Sequence, residues 1–107
     1  MKPIDSDSRD ESFTARAARV IAAIPEGSAL TYGEVAELAG NPRAARQVVR
    51  VLNAQSKKLG LPWHRVLGKG LIIRLPEDSG GAEQRALLEA EGWTVDGCRL
   101  RDRPSQG

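Results

Sequence analysis

The apolar residues in the first quarter of the chain recur at helical spacing and predict a first helix. Ser12 has a side chain suited to capping its start, and residues 25–27 (Pro-Glu-Gly) are expected to end it. Its apolar positions are Phe13, Ala17, Val20, Ile21 and Ile24. The polar residues before Ser12 show no such pattern, so residues 1–11 are expected to form a flexible tail.

Two shorter helices are predicted next. Thr31 and Glu34 have the spacing of a capping box at the start of the first. Gly40 is expected to end that helix, and Asn41 with Pro42 to begin the second.

The second of these helices has two opposite faces. Its apolar stripe comprises Ala45, Val48, Val49 and Leu52. Its polar, basic stripe comprises Arg43, Arg46, Gln47 and Arg50. Two short helices joined by a glycine-containing turn, with arginines outside the second, are typical of a helix-turn-helix. A bundle helix with an exposed arginine face is the alternative.

The second half of the chain alternates short apolar segments with turns. "HRVL" and "LIIRL" flank "GKG" and predict a hairpin or wing, and "PEDSGG" predicts a loop. "AEQRALLEAEG" predicts a helix that ends at Gly92, and "WTVDGCRL" indicates a terminal strand or hairpin. The expected fold is mainly α with a small β-hairpin wing, a winged helix-turn-helix over residues 12–100. Residues 101–107 are expected to form a second flexible tail.

The composition excludes several classes of protein and several kinds of site. The chain has 107 residues, enough for one small domain, with 40% hydrophobic and 28% charged residues. It has no apolar run of membrane-spanning length and no signal-peptide pattern at the N-terminus, so we expect a cytoplasmic protein without a membrane partner. One cysteine, Cys98, and one histidine do not suffice for an internal disulfide or a structural zinc site. Neither a metal nor a cofactor is expected.

Charge is distributed unevenly along the chain. The formal net charge is +2, but residues 38–76 contain eight basic residues and no Asp or Glu. These eight are Arg43, Arg46, Arg50, Lys57, Lys58, Arg65, Lys69 and Arg74. Such segregation indicates either a positive face that binds a polyanion or an ordinary solvated basic surface.

The segment "LPWHRVLGKG" contains the candidate chemistry. In it Trp63 precedes the chain's only histidine, His64, which precedes Arg65. Taken alone, His64 could be a general base, an anion ligand or a structural histidine. Because no Ser or Cys lies nearby in sequence, the structural interpretation is favoured.

The order of several motifs adds a resemblance. "TYGEVAELAGNPRAARQVV", "LPWHRV", "SGG" and "AEG" together resemble the DNA-binding domain of the O6-alkylguanine-DNA alkyltransferases, from about residue 13 to residue 92. Those enzymes have Pro-Cys-His-Arg where this chain has Pro-Trp-His-Arg. A tryptophan in place of that cysteine marks the alkyltransferase-like proteins, and the chain resembles this branch.

The resemblance implies roles for individual residues. Tyr32 matches the tyrosine that helps rotate the damaged nucleotide out of the duplex, and Arg46 matches the arginine that fills the vacated space from the minor groove. Trp63 occupies the position of the alkyl-accepting cysteine. His64 and Glu91 match members of the enzymes' proton relay, and here they would only hold the pocket together.

Two sets of site residues follow, and neither contains a catalytic residue. The predicted lesion pocket comprises Tyr32, Trp63, His64, Arg65, Arg74, Ser79, Gly80 and Glu91. The predicted DNA-binding residues are Tyr32, Arg43, Arg46, Gln47 and Arg50.

The function implied is non-enzymatic recognition of O6-alkylguanine in double-stranded DNA. A base modified at O6 pairs poorly, so flipping it out costs less than flipping guanine, and an arginine plug offsets the lost stacking. An aromatic pocket wall adds ~1–3 kcal/mol per stacked base. The protein is expected to act as a monomer and to flag the lesion for nucleotide-excision repair proteins.

Two other functions remain open on the sequence. One is a winged-helix transcription factor that reads a defined DNA sequence. The other is an active alkyltransferase that uses Cys98, which is disfavoured because nothing in its sequence neighbourhood would activate it as a nucleophile.

Overall fold

The computed structural model describes residues 12–102, so the tail predicted at residues 1–11 lies outside the described residues. Helix α1 spans Phe13–Ala22, and the Ser12 hydroxyl accepts a hydrogen bond from the Ala15 amide at 3.1 Å, as a capping residue does. Ala17 and Ile21 are completely buried on its inner face. The first predicted helix is therefore confirmed, with its cap.

Helix α2 spans Tyr32–Leu38 and directly follows the short strand β1, Leu30–Thr31. The capping box is complete. The Glu34 amide donates to Thr31 Oγ1 at 3.1 Å, and the Thr31 amide donates to Glu34 Oε1 at 2.8 Å. These reciprocal bonds fix the direction in which α2 leaves the strand.

Helix α3 spans Ala45–Leu59, so the start predicted at Asn41 and Pro42 is wrong. The Asn41 side chain accepts from the Arg43 amide at 3.1 Å, and its carbonyl accepts from the Ala44 amide at 3.0 Å. Asn41 thus stabilises a turn by accepting hydrogen bonds from the backbone just after it, and it does not cap the helix. Arg43 consequently lies in this turn and not on the helix.

The inner face of α3 is also rotated relative to the predicted apolar stripe. Val48 and Val51 are its buried residues, whereas Val49 is only half-buried. The core that they enter joins α1, α2 and α3 and comprises Ala17, Ala18, Ile21, Ile24, Val35, Ala36, Ala39, Ala44, Val48, Val51, Leu61 and Val66. Val49 and Leu52, two members of the predicted apolar stripe, are therefore only partly buried.

Strand β2, Val66–Leu67, follows a 3₁₀ turn at Trp63–Arg65 and pairs in parallel with β1, with Leu30 opposite Val66 and Thr31 opposite Leu67. Val66 packs into the helical core. Leu67 packs into a second core with Ile73, Leu88, Trp93 and Leu100. The two-residue strand therefore joins the two halves of the molecule.

The hairpin predicted around residues 68–70 is reduced to a single bridge between Gly68 and Ile72. Ile72 also bridges to Arg99 in the terminal hairpin, which consists of β3 (Thr94–Asp96) and β4 (Arg99–Asp102). Strand β4 continues past the boundary predicted at residue 100, and residues 103–107 are not described. The predicted fold class, mainly helical with small sheets, is confirmed.

Helix α4, Gly81–Ala90, follows a second 3₁₀ turn at Glu77–Ser79 and confirms the predicted last helix. A Cβ on Gly81 would collide with the backbone carbonyls of Leu75 and Pro76, so the chain turns into α4 at a point where only glycine fits. Within residues 12–102, no helix has the length and apolar character needed to cross a membrane.

Candidate functional site

A groove of about 560 Å³ lies between α3 and α4, a volume in the range of small-ligand sites. It is lined by Tyr32, Val49, Leu52, Asn53, Ser56, Lys57, Gly60, Leu61, Trp63, Val66, Leu75, Glu83 and Gln84. A second side of α3 supplies five of these residues, or six with Gly60 just after the helix. Of the predicted lesion pocket, this groove brings together Tyr32 and Trp63.

Tyr32 and Trp63 supply the aromatic surface of the groove, and both are half-buried. Burial raises the pKa of the Tyr32 hydroxyl, and the positive charge of Arg74 opposes this effect. The Arg74 guanidinium therefore lies close enough to Tyr32 to act on it, although Arg74 does not line the groove. The protein thus places two aromatic rings and a neighbouring cation at one opening.

Gly68 explains how Arg74 reaches this position. A Cβ at Gly68 would come within 2.6 Å of Arg74 Cγ and 2.7 Å of Arg74 Cδ, because the arginine stem packs directly over the glycine. The bridge between Gly68 and Ile72 therefore positions the surface over which the exposed Arg74 side chain packs.

His64, Arg65 and Glu91 do not line the groove but form a compact network behind it, which we call the anchor network. Glu91 Oε2 accepts from Arg65 Nη2 at 2.7 Å and lies 2.7 Å from His64 Nε2. Glu91 Oε1 accepts from the Gly27 amide at 3.1 Å, and Arg65 Nη1 donates to the Ile24 carbonyl at 2.8 Å. The network ties the loop after α1 to the turn that carries Trp63.

The electrostatics of Glu91 follow from these contacts. Its side chain is 10% exposed, and burial alone would raise the pKa. The hydrogen bonds from Arg65, His64 and Gly27 outweigh that effect and lower the pKa of Glu91 to about 2. The carboxylate therefore stays charged. Its partner is the guanidinium of Arg65, a residue that the sequence placed in the lesion pocket.

Gln84 is a groove residue that the sequence reasoning missed. It is 2% exposed and is the one buried polar side chain within the described residues. Its Nε2 donates to the carbonyls of His64 and Val66, each at 3.1 Å. The feature that could have identified Gln84 is its position along α4. It shares the buried face of the helix with Gly81 and Leu88, and a polar side chain on that face requires a hydrogen-bond partner.

Ser79 and Gly80 lie beside the groove without lining it. Ser79 is exposed at the end of the second 3₁₀ turn, and Gly80 has a φ of 107°. A Cβ on Gly80 would come within 3.2 Å of Leu75 Cδ1, and Leu75 lines the groove. This loop therefore borders the opening through Leu75.

The predicted DNA-binding residues Arg46, Gln47 and Arg50 are exposed on α3, and we call them the outer face of α3. Within the described part of the chain they make no hydrogen bond or ion pair through their side chains. Arg43 is exposed in the preceding turn. Arg46 and Arg50 precede the groove residues Asn53 and Lys57 by seven positions each, so they lie on the stripe of α3 that continues into one edge of the groove. Helix α3 can therefore present the arginines and the groove to one partner.

Cys98 is exposed in the turn between β3 and β4, and it does not line the groove. No cluster of three or more His, Cys, Asp or Glu side chains suited to a metal ion occurs among residues 12–102.

Comparison with known proteins places this arrangement in context. Residues 12–93 match the family described as "6-O-methylguanine DNA methyltransferase, DNA binding domain". The DNA base-flipping protein of Escherichia coli is 47% identical over 89 residues, which are 83% of this chain and 68% of that protein. Alkyltransferase-like protein 1 of Schizosaccharomyces pombe is 34% identical over 88 residues, 81% of this chain and 82% of that protein.

A solved structure shows the same fold. S. pombe Atl1 in complex with damaged DNA containing O6-carboxymethylguanine has a TM-score of 0.71 and 32% sequence identity, over 78% of this chain and 79% of that one. With a tryptophan in the groove wall where the related enzymes have their cysteine, the chain belongs to the 6-O-methylguanine DNA methyltransferase DNA-binding-domain family, in its alkyltransferase-like branch.

Proposed function

We propose that this protein binds O6-alkylguanine in double-stranded DNA by flipping the damaged base into the groove, and that it transfers no alkyl group. The observation that carries this proposal is Trp63, which lines the groove together with Tyr32 at the position where the related enzymes have their reactive cysteine. The groove volume of about 560 Å³ leaves room for a base with its O6 substituent.

The chemistry of the lining residues supports binding without reaction. Alkyl transfer from guanine O6 needs a soft nucleophile activated by a nearby base. The indole nitrogen of Trp63 is a donor whose lone pair belongs to the ring, and no thiol lines the groove. His64, whose Nε2 lies 2.7 Å from Glu91 Oε2, has no thiol in the groove to deprotonate.

The outer face of α3 supplies the approach to DNA. Arg46 and Arg50 are exposed and uncompensated by local acids, so they can neutralise phosphates, and Arg46 would enter the stack when the base leaves it. The relatives support this function, since one is named a DNA base-flipping protein and another was solved with damaged DNA.

We also propose that the protein acts as a monomer and that its complex with the lesion flags the site for nucleotide-excision repair. A flipped base with an arginine in the stack bends the duplex, and a bent, marked duplex is a signal that repair proteins can read. Excision of a lesion-containing duplex by purified repair proteins should be faster when this protein is present than when Arg46→Ala replaces it.

Lesion binding without alkyl transfer can be tested with three duplexes of the same sequence. At one position they carry guanine, O6-methylguanine or a bulkier O6-alkylguanine. We expect tighter binding to both lesions than to guanine by fluorescence anisotropy. Intact mass spectrometry after long incubation should show an unchanged protein mass and an unchanged lesion. Stoichiometric alkylation of the protein, at Cys98 or elsewhere, would overturn the proposal.

The Trp63→Ala variant tests the pocket wall. Loss of the stacking surface should weaken lesion binding by ~1–3 kcal/mol while binding to undamaged DNA stays unchanged. Circular dichroism should show a retained fold, because Trp63 is only half-buried. Equal loss on both duplexes would mean that Trp63 does not contact the flipped base.

A further inference from the structure

The turn between α2 and α3 has a carbonyl that its own hydrogen bonds do not satisfy. The Gly40 amide donates to the Glu37 carbonyl at 3.0 Å, and the Asn41 amide donates to the Ala36 carbonyl at 2.9 Å. With Gly40 at a φ of 101°, these two bonds form a common glycine-terminated helix end. Ala39, the residue before the glycine, is 1% exposed, so its carbonyl needs a donor from elsewhere in the chain.

Arg16 of α1 supplies this donor. Its Nε donates to the Ala39 carbonyl at 2.7 Å, from 23 positions earlier in the sequence. A Cβ at Gly40 would come within 3.6 Å of Arg16 Nε and 3.7 Å of Arg16 Nη2, so the guanidinium also packs against the turn. The next residue of α1, Ala17, is completely buried, which fixes the backbone of Arg16 to the core. Arg16 therefore ties the turn to the first helix.

This turn leads directly into α3. Asn41 accepts hydrogen bonds from the Arg43 and Ala44 amides, and Arg46 is the second residue of the helix. The N-cap residue, Ala44, has no side-chain oxygen with which to fix the first turn of the helix. The position of Arg46 consequently depends on the turn before it.

Arg50 depends on this turn much less, although it belongs to the same helix. It lies between Val48 and Val51, whose side chains are buried in the helical core. A loosened turn should therefore displace Arg46 more than Arg50. The two arginines also differ in how much displacement they tolerate, because a plug must fit the space of one base, whereas attraction to a phosphate falls off slowly with distance.

We infer that Arg16 is a positioning residue for lesion recognition, which acts by holding the turn that places Arg46. This inference rests on the proposed function, in which Arg46 fills the space left by the flipped base. The group that matters is the Nε–H of Arg16, since this group binds the Ala39 carbonyl. Its positive charge is not required.

Two uncharged variants isolate this hydrogen bond. Arg16→Gln keeps an N–H donor attached to Cδ, as in arginine, and Arg16→Met keeps a side chain of similar length without a donor. Arg16→Met should lower the preference for an O6-methylguanine duplex over a guanine duplex roughly fivefold, whereas Arg16→Gln should stay within about twofold of the wild type. Anisotropy titrations measure both ratios. If the two variants lost the same affinity on both duplexes, Arg16 would be a phosphate contact and the inference would be overturned.

Arg19→Met is the matched control, because it removes one positive charge from an exposed position three residues further along α1. It should keep the wild-type lesion preference, and its affinity for the guanine duplex should match that of Arg16→Met. A loss of lesion preference as large as that of Arg16→Met would reveal an effect of net charge and would overturn the inference.

A double-mutant cycle tests whether Arg16 acts through Arg46. In the Arg46→Ala background, adding Arg16→Met should leave the lesion preference unchanged, because the side chain that Arg16 positions is gone. A further loss as large as that in the wild-type background would overturn the inference. If the wild-type protein bound O6-methylguanine and guanine duplexes equally, the proposed function itself would fail, so the two failures are distinguishable.

Circular dichroism checks that each variant is folded. If Arg16→Met does not fold, Arg16→Ala takes its place, because the shorter side chain admits water to the Ala39 carbonyl without tying the turn to α1. The expected results and the outcomes that overturn the inference are then the same as for Arg16→Met.

Discussion

Arginine serves opposite purposes in two regions of this protein. In the anchor network, Arg65 is 17% exposed and its guanidinium bonds to Glu91 and to the Ile24 carbonyl. On the outer face of α3, Arg46 and Arg50 are exposed and make no side-chain bond within the described residues. Both kinds come from the same acid-free stretch of sequence.

The difference between these regions shows that a local excess of positive charge does not measure the charge available to a partner. The acid that neutralises Arg65 is Glu91, which lies 26 residues further along the chain. Since no acid on the described chain pairs with Arg46 or Arg50, their charge is left for phosphate. We therefore expect the anchor network to contribute stability and the outer face to contribute binding to DNA.

The largest expected effect comes from breaking the anchor network. Glu91→Ala should lower the free energy of unfolding by about 3 kcal/mol, because it leaves Arg65 and the Gly27 amide without their acceptor. Chemical denaturation measures this change. Glu89→Ala, at an exposed acid in the last turn of α4, is the control and should change stability by less than about 0.5 kcal/mol. Equal effects of the two variants would show that the network does not hold the fold.

The pH dependence of stability should follow the same network. The pKa of Glu91 is lowered from 4.5 to about 2, so the folded protein binds this proton less readily than the unfolded chain. Its contribution is complete above pH 4.5 and is lost as the pH falls toward 2, amounting to about 3 kcal/mol. Unfolding free energies measured from pH 6 to pH 2 should fall less steeply for Glu91→Gln. Parallel curves would contradict the assignment.

The outer face can be resolved further by comparing its two arginines. Arg46→Ala should weaken lesion binding by about 1–2 kcal/mol, roughly tenfold, and should reduce the preference for lesion over undamaged DNA. Arg50→Ala should weaken both complexes to a similar extent, as a phosphate contact does. Anisotropy titrations with both duplexes measure these ratios. If both variants keep the same lesion preference, Arg46 is only a phosphate contact.

The smallest expected effect is on the salt dependence of binding to undamaged DNA. The logarithm of affinity should fall steeply with the logarithm of salt concentration, and Arg50→Ala should make that slope shallower by about one unit. Arg65→Lys should leave the slope unchanged, because Arg65 faces Glu91. A wild-type slope near zero would remove the electrostatic basis of the comparison altogether.

Local sequence determined the elements whose stabilising contacts are close in the chain. The Thr31–Glu34 box and the Ser12 cap join residues three positions apart, and both are present as predicted. The start of α3 was predicted wrongly because an asparagine side chain has two local options. Asn41 could cap a helix or bond to the backbone two residues on, and it does the second.

The aromatic part of the groove could also be predicted from the sequence, since Trp63 and Tyr32 were selected and both line it. The remaining lining residues could not be predicted in this way. Gln84 and Leu75 belong to a helix and a loop that meet α3 only in the folded chain. Val49 was predicted as part of one apolar stripe because helical periodicity identifies apolar faces but does not say which neighbour each face meets.

The sequence by itself thus determined the helices, the mainly helical class, the family and the two aromatic residues of the groove, since these depend on short-range spacing and on motif order. Only the tertiary structure decided which charged side chains pair with each other inside the protein and which polar residues line the groove. Those outcomes depend on contacts between residues 18 to 64 positions apart, such as Gln84 with Val66 and Glu91 with Gly27. Charge pairing and burial are set by distance in space, and the chain brings such residues together only by folding.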